Sequence, residues 1–211
     1  MHRHIYWAGP LAGALIAAML FFGITWNASS KVPIGFYEPS PFVRLEAANS
    51  VGSGVHIGQG LVVTAAHVVG QNKAMKVFAD DRRVMDGEVL WSSTKYDIAL
   101  MRVAKPQMRA APLSCADNFT GQHVKAYGNP MGLDFVYTSG EVVGKAREQG
   151  HWAKVVPVDA ALIYGQSGGG IIDEAGSVVG ITVGLMGTPY GIAAFGFAVP
   201  SSVVCGLMGR A

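Results

Sequence analysis

Short apolar runs alternate with glycine-rich or polar turns along most of the chain. This spacing predicts short β-strands in an all-β barrel or sandwich. Residues 103–117 include two prolines and lack a strand pattern, which predicts a linker between two halves and hence a two-barrel domain. The apolar runs lie at 60–63, 76–78, 98–101, 155–158, 171–172 and 178–181.

One apolar block, residues 5–26, is long enough to cross a membrane. It has 22 residues and no charged side chain, and a helix rising about 1.5 Å per residue would match a hydrocarbon core of roughly 30 Å. A buried core helix is disfavoured because residues 11–22 are apolar on every face. A cleaved secretory signal is the stronger alternative, although its apolar region is normally about 7–15 residues long. We therefore expect an uncleaved signal anchor.

The charges that flank this block favour one orientation only weakly. Arg3 and the terminal amine lie on one side, and Lys31 and Arg44 on the other. We expect a single-pass membrane protein whose folded domain lies on the exported side, periplasmic or extracellular. The domain would be secreted if the block were cleaved.

Composition changes along the chain predict the domain boundaries. Proline, serine and aromatic residues after the block predict an arm, and Pro-Ser-Ser at 200–202 predicts the start of a C-terminal helix. The predicted units are the membrane segment 1–26, the arm 27–44 and a domain 45–211, the last divided into barrel one (about 45–105), linker (about 106–120), barrel two (about 121–200) and helix (201–209).

Composition and charge exclude several classes of protein. Half of the 211 residues are hydrophobic, only 14% are charged and 28 are glycine. This argues against a disordered acidic tail, a coiled coil and a charge-rich helical bundle. The formal net charge of +2 is too small to suggest nucleic-acid binding.

Ser167 lies in the glycine-rich run 165–170, Gly-Gln-Ser-Gly-Gly-Gly. Such a run lets the backbone turn tightly and lets a substrate carbonyl approach its N–H groups. A glycine-rich surface turn would also explain the run. It matches the nucleophile elbow of α/β-hydrolases as well, but those enzymes place a His after the Ser, and no His follows Ser167.

A nucleophilic serine requires a general base and a group that orients that base. Upstream, His67 ends an apolar run and Asp97 directly precedes another. Taken singly, each has an ordinary structural explanation, a satisfied core histidine or a turn residue. Together with Ser167 they provide candidates for a His-Asp-Ser triad.

In this order and spacing, the sequence resembles the trypsin-like serine proteases, and within them the Deg/HtrA group. The resemblance covers residues 51–202 and rests on seven phrases in the same order. These are Gly-Ser-Gly-Val at 52–55, Thr-Ala-Ala-His-Val-Val at 64–69, Tyr-Asp-Ile-Ala-Leu at 96–100, Gly-Asn-Pro-Met-Gly at 128–132, Asp-Ala-Ala at 159–161, Gly-Gln-Ser-Gly-Gly at 165–169 and Phe-Ala-Val-Pro at 197–200.

The resemblance implies two six-stranded β-barrels with the active site in the cleft between them. It also implies a serine endopeptidase in which Ser167 is the nucleophile, His67 the base and Asp97 the orienting acid. The backbone N–H groups of Gly165 and Ser167 would form the oxyanion hole. The alternative is an inactive protease-like scaffold that binds peptides or partner proteins.

The sequence departs from the family pattern at two positions beside the nucleophile. Gln166 replaces the usual Asn, or the Asp of trypsin-type enzymes, which argues against activation by a freed N-terminus. Gly170 replaces the usual Pro, so the strand behind the nucleophile is expected to be looser. Only about 44 residues follow Ser167, so we expect no PDZ domain.

By similarity to the family, Leu162, Thr182 and Val183 would line a small apolar pocket for residues such as Val, Ala or Ile. The segment 160–163 has no acidic side chain to bind Lys or Arg. We interpret Asp159 as structural because it lies two positions too early to be a specificity acid.

The remaining cysteine, histidine and aromatic residues support three further expectations. Cys115 and Cys205 would form a disulfide in an oxidising compartment or remain two buried thiols. No His or Cys spacing matches a metal site, so we expect no metal and no cofactor. Members of the family are often trimers held by aromatic residues near the N-terminus. In this sequence, Phe36, Tyr37 and Phe42 are candidates for that role.

Overall fold

A computed structural model describes residues 39–117, 120–187 and 193–209. The predicted membrane segment 1–26 and Phe36 and Tyr37 of the predicted arm lie outside these residues. Within the described ranges, no helix is both long enough and apolar enough to cross a membrane.

The first half is a closed barrel of six antiparallel strands in the order β1-β2-β3-β6-β5-β4, which confirms the first predicted barrel. Strand β4 shows the expected alternation, with Met75 and Val77 buried between exposed neighbours. The strands are Phe42–Ala47 (β1), Ser50–His56 (β2), Leu61–Thr64 (β3), Ala74–Phe78 (β4), Val84–Ser93 (β5) and Ile98–Val103 (β6).

The second half is a seven-stranded antiparallel sheet in the order β8-β7-β11-β12-β13-β10-β9. This differs from the closed six-stranded barrel that we predicted. The strands are His123–Gly128 (β7), Val136–Glu141 (β8), Arg147–Gln149 (β9), Trp152–Val158 (β10), Gly170–Ile172 (β11), Val178–Gly187 (β12) and Ala193–Pro200 (β13).

Pro157 explains why pairing between β10 and the chain after β8 stops at Val143. Beyond β8 the chain reaches β10 through one isolated bridge, Val142 to Val158. The carbonyl of Pro157 accepts a hydrogen bond from Val143 N at 3.0 Å. Proline has no N–H with which to return that bond, so regular pairing stops there.

Two short helices follow strands that lead to or from the candidate site. Helix α1, Ala66–Val69, comes two residues after β3, and helix α2, Ser201–Leu207, comes directly after β13. The predicted C-terminal helix is therefore confirmed. Strand β1 begins at Phe42, so the predicted boundary between arm and domain at 44/45 falls inside a strand.

Phe42, one of the aromatic residues to which a role in trimer formation is open, packs in the core of the chain. Its side chain is 8% exposed. Its ring stacks on that of Tyr127, with 4.0 Å between centroids. Because Phe42 is in β1 and Tyr127 in β7, this contact joins the two halves.

Cys115 and Cys205 form a disulfide, with their Cα atoms 5.7 Å apart. Cys115 lies in the connection between the halves and Cys205 in α2. The bond therefore ties the connection to the helix that follows the last strand.

Candidate active site

His67 and Asp97 both come from the first barrel and lie in contact. The buried small residues Ala65 and Ala66 let the chain turn from β3 into α1, which carries His67. Asp97 directly precedes β6. The His67 side chain is 48% exposed, whereas that of Asp97 is 6% exposed. One ring nitrogen therefore faces a buried carboxylate while part of the imidazole remains accessible.

The Asp97 carboxylate accepts three hydrogen bonds. Oδ1 accepts from the backbone N–H of His67 at 2.8 Å. Oδ2 lies 2.7 Å from His67 Nδ1 and accepts from the indole N–H of Trp152 at 3.1 Å. Burial raises the pKa of Asp97, but the hydrogen bonds and charge of His67, with the Trp152 bond, outweigh it and leave the pKa lowered. The carboxylate is therefore ionised at neutral pH and holds Nδ1 of the imidazole.

The backbone around Ser167 is held by its carbonyl groups. The carbonyl oxygens of the four residues 164–167 each accept a hydrogen bond from a residue outside this segment. The pairs are Tyr164 O with Met131 N (3.1 Å), Gly165 O with Ser53 Oγ (2.7 Å), Gln166 O with Gly169 N (2.9 Å) and Ser167 O with Ser53 N (2.8 Å).

The N–H groups of Gly165 and Ser167 have no acceptor within the described residues. Gly165 has φ +99°, in the region that glycine adopts without strain. A Cβ at this position would lie 2.5 Å from the carbonyl oxygen of Asn129. The arrangement thus leaves two backbone donors, on either side of Gln166, free for an anionic or carbonyl oxygen.

The Ser167 backbone packs against the strands that lead to His67. Gly168 fits only because it has no side chain, since a Cβ there would collide with Thr64 Oγ1 and Ser53 O. A Cβ on Gly52 would lie 2.6 Å from Val68 Cγ2 and 3.1 Å from Ser167 O. Within the described residues no hydrogen bond joins the Ser167 hydroxyl to the His67 ring, a bond that is often formed only when substrate binds.

Gln166 forms two hydrogen bonds with Ile163 inside the loop before Ser167. Its side chain is 1% exposed, and its Oε1 accepts from the backbone N–H of Ile163 at 2.8 Å. The Gln166 N–H donates in return to Ile163 O at 3.2 Å. These two bonds close a turn directly before the nucleophile candidate, which explains how a glutamine is accommodated here.

Ser53 and Asn129 support the glycine-rich loop, a role that the sequence analysis missed. Both lay in phrases carrying the family resemblance, and neither was assigned a function. Ser53 Oγ donates to Gly165 O and accepts from the backbone N–H of Asn129 at 2.9 Å. Their only signal in the sequence was a polar residue beside glycine in each phrase.

Replacing Ser53 by Ala is expected to lower the free energy of unfolding by about 2–3 kcal/mol. The change would leave the Gly165 carbonyl and the Asn129 N–H without their partner, and Ser53 and Asn129 are at most 2% exposed. Urea unfolding measures the difference. Ser139→Ala, at an exposed position of β8, is the matched control. A Ser53→Ala protein as stable as this control would contradict the bracing role.

The predicted pocket residues are all buried. Leu162, Thr182 and Val183 are 2–3% exposed. Leu162 packs against Gly196, where a Cβ would collide with its side chain. Thr182 carries backbone bonds that hold the loop, because its carbonyl accepts from Gly168 N at 2.7 Å. The side chain of Asp159 accepts from the backbone N–H of Glu141 at 2.6 Å.

Among residues 39–117, 120–187 and 193–209, the other histidines do not form a set of metal ligands. His56 is buried, and its Nδ1 lies 2.8 Å from the carbonyl oxygen of Arg109. His123 contacts Glu141 at 3.2 Å. Across the part of the chain that the structure describes, no group of three or more His, Cys, Asp or Glu side chains is arranged to hold a metal ion.

Comparison with known proteins identifies the family. The model of the trypsin-like peptidase domain matches residues 52–181. The chain is 32% identical over 174 residues to protease Do-like 1, chloroplastic, of Arabidopsis thaliana, covering 78% of this chain and 40% of that protein. It is 34% identical over 162 residues to the periplasmic serine endoprotease DegP of Salmonella typhimurium, covering 74% of this chain and 34% of that protein.

Solved structures share the fold. The HtrA-type protease AlgW with tripeptide has a TM-score of 0.74 at 24% identity, over 82% of this chain and 60% of that chain. The inactive form of the Rv3671c protease of M. tuberculosis has a TM-score of 0.70 at 25% identity, over 81% of this chain and 88% of that chain. The sequence resemblance is confirmed: the chain belongs to the trypsin-like peptidase family, and its relatives include the Deg/HtrA serine endoproteases.

Proposed function

We propose that this protein is a membrane-anchored serine endopeptidase of the Deg/HtrA type, with His67, Asp97 and Ser167 as its catalytic residues. The single observation that carries the proposal is the loop around Ser167. Its carbonyl groups at 164–167 are engaged, while the N–H groups of Gly165 and Ser167 are left without a partner among the described residues. A loop held in this way is suited to bind a developing oxyanion.

In the first step, the Ser167 hydroxyl attacks a peptide carbonyl and His67 accepts its proton. Since Asp97 holds Nδ1 at 2.7 Å, Nε2 is the nitrogen left to act as the base. The carbonyl oxygen becomes an anion and accepts hydrogen bonds from the two free backbone N–H groups. The proton then moves from His67 to the leaving amine, which departs and leaves an acyl ester on Ser167.

In the second step, water hydrolyses the ester. His67 takes a proton from the water, and the hydroxide attacks the same carbonyl, whose oxygen returns to the same two donors. The bond from the carbonyl carbon to Ser167 Oγ then breaks, the carboxylic acid leaves, and His67 returns the proton to Ser167. Asp97 stays ionised throughout and stabilises the imidazolium, in keeping with the lowered pKa of its carboxyl.

The proposed preference is for a small aliphatic residue before the cleaved bond. Leu162, Thr182 and Val183 would provide an apolar lining, and the segment 160–163 contributes no carboxylate. A Lys or Arg side chain entering such a pocket would lose its hydration without gaining an ion pair. The pocket therefore disfavours basic residues.

The proposed location is a membrane surface, with the peptidase domain on the exported side. The apolar block 5–26 supports the anchor, and the periplasmic relative DegP supports export. A disulfide between Cys115 and Cys205 fits an oxidising compartment.

Cleavage of a peptide library by the purified full-length chain tests this function. We expect cuts after Val, Ala or Ile, no product from Ser167→Ala, and an unchanged pattern from the matched variant Ser139→Ala. A clear preference for Arg would refute the pocket assignment. No cleavage by the native chain, combined with peptide binding, would favour the inactive scaffold.

A further inference from the structure

Trp152 lies in the sheet of the second half and contacts the Asp97 carboxylate of the first barrel. It begins β10, and its indole N–H donates to Asp97 Oδ2 at 3.1 Å. The same oxygen lies 2.7 Å from His67 Nδ1. One carboxylate oxygen therefore joins a residue of the sheet to the imidazole of the barrel.

Neighbouring residues of the sheet hold the Trp152 ring in place. Gly184 in β12 leaves room for it, since a Cβ there would lie 2.5 Å from Cη2 and 2.6 Å from Cζ2 of the ring. The ring of Phe197 in β13 lies 5.7 Å from that of Trp152, centroid to centroid. The indole thus has a defined position on the sheet before its N–H meets Asp97.

Asp97 has an unfavourable backbone conformation that requires outside support. Its φ is +54°, in the left-handed region that a residue with a side chain rarely adopts. The start of β10 supports its loop twice, through the Trp152 indole and through Ala153 N, which donates to Lys95 O at 3.2 Å. Strain of this kind persists only where the surroundings hold it.

We propose that Trp152 is a positioning residue for the peptidase reaction. Its N–H sets the rotation of the Asp97 carboxylate, so that Oδ2 faces His67 Nδ1 and Oδ1 faces the His67 backbone. It thereby holds the His67-Asp97 pair in a fixed position relative to β10 and β11, the strands before and after Ser167. This inference rests on the proposed function and adds a residue to its machinery.

In the part of the chain that the structure describes, four ionisable side chains lie around this contact. His67, Lys73 and His151 line one cavity of about 440 Å³ with Asp97. Lys95 lies on the same loop as Asp97, with its Nζ 5.2 Å from the centroid of the Tyr96 ring. Within the described residues only His67 and Trp152 donate to the Asp97 carboxylate. Among the described residues, no other donor is therefore in place to compensate for loss of the indole N–H.

Replacing Trp152 by Phe removes the N–H and keeps an aromatic ring. We expect kcat for a peptide substrate to fall about tenfold with KM unchanged, as for loss of one hydrogen bond to a charged group. The rate of Ser167 labelling by a small fluorophosphonate should fall by the same factor. Trp91→Phe is the matched control for loss of an indole N–H, because Trp91 lines the same cavity but does not donate to Asp97.

Gly184→Ala gives a second variant that leaves Trp152 in the chain. The added methyl would displace the indole, so we expect slower labelling than in the native chain. In the Trp152→Phe background the same change should add little, because Phe lacks the atoms that the methyl meets. Additive effects of the two changes would show that Gly184 acts independently of the indole and would count against the proposal.

The indole N–H resonance in a ¹⁵N NMR spectrum provides a readout that does not depend on activity. Asp97→Asn should shift the Trp152 signal, which is the resonance lost in Trp152→Phe. A native chain that labels, with Trp152→Phe labelling at the same rate or changing KM alone, would overturn this inference and leave the proposed function intact. A native chain that does not label would overturn both the proposed function and the positioning role.

Discussion

Asp97→Asn is expected to lower kcat about 10⁴-fold while the protein stays folded. In the native chain both carboxylate oxygens face donors, His67 N at Oδ1, and His67 Nδ1 and Trp152 Nε1 at Oδ2. An amide has one acceptor oxygen and one NH₂ group, so one of these positions must bring donor against donor.

Either orientation of the introduced side-chain amide harms the base. With NH₂ at the Oδ2 position, His67 must accept at Nδ1, which leaves its Nε2 protonated and unable to take a proton from Ser167. With NH₂ at the Oδ1 position, the amide faces the backbone N–H of His67 and the pair separates. Neither orientation supplies the negative charge that stabilises the imidazolium.

Peptide hydrolysis under saturating substrate measures this loss, with unfolding in urea as the check on folding. Asp86→Asn is the matched control, since its carboxylate is 82% exposed and pairs with Lys76 on the barrel surface. We expect the control to keep native activity. An Asp97→Asn enzyme within tenfold of the native kcat would contradict the role of Asp97.

Gly165→Ala is expected to lower kcat about 10²- to 10³-fold, the cost of losing one oxyanion donor. A Cβ at this position would lie 2.5 Å from Asn129 O and 3.1 Å from Pro130 Cα. The backbone must rotate away from φ +99° to relieve these contacts. This rotation would redirect the Gly165 N–H, while the Gly165 carbonyl oxygen keeps its hydrogen bond from Ser53 Oγ.

The matched control for this change is Gly121→Ala. Gly121 has φ +86°, so alanine meets the same backbone strain, but a Cβ there has no described atom within 4 Å. Both variants should lose stability, and only Gly165→Ala should lose activity at a temperature where both are folded. Equal kcat for the two variants would show that the Gly165 N–H takes no part in the reaction.

The first barrel was predictable from local pattern because its strands alternate buried and exposed residues or carry short apolar runs. The second half was harder. Strand β9, Arg147–Gln149, has no apolar residue and pairs only because β10 lies beside it. Pairing stops at Pro157 because its missing N–H would face Val143, and the sequence does not show which segment lies opposite Pro157.

Some residues of the candidate site were also predictable from the sequence, and others were not. His67, Asp97 and Ser167 could be singled out because nucleophilic chemistry requires those residue types in an order that a single sequence displays. Ser53 and Trp152 act through partners 112 and 55 positions away. Such contacts leave no periodic trace, so the supports of the site emerged only from the fold.

Covalent labelling by a fluorophosphonate, mapped by mass spectrometry on the full-length chain, tests the central claim most directly. The reagent requires a serine made nucleophilic by a neighbouring base. We expect one modified residue, Ser167, with labelling abolished in Ser167→Ala and retained in Ser139→Ala. Absence of labelling in the native chain, or equal labelling of Ser167→Ala, would contradict it.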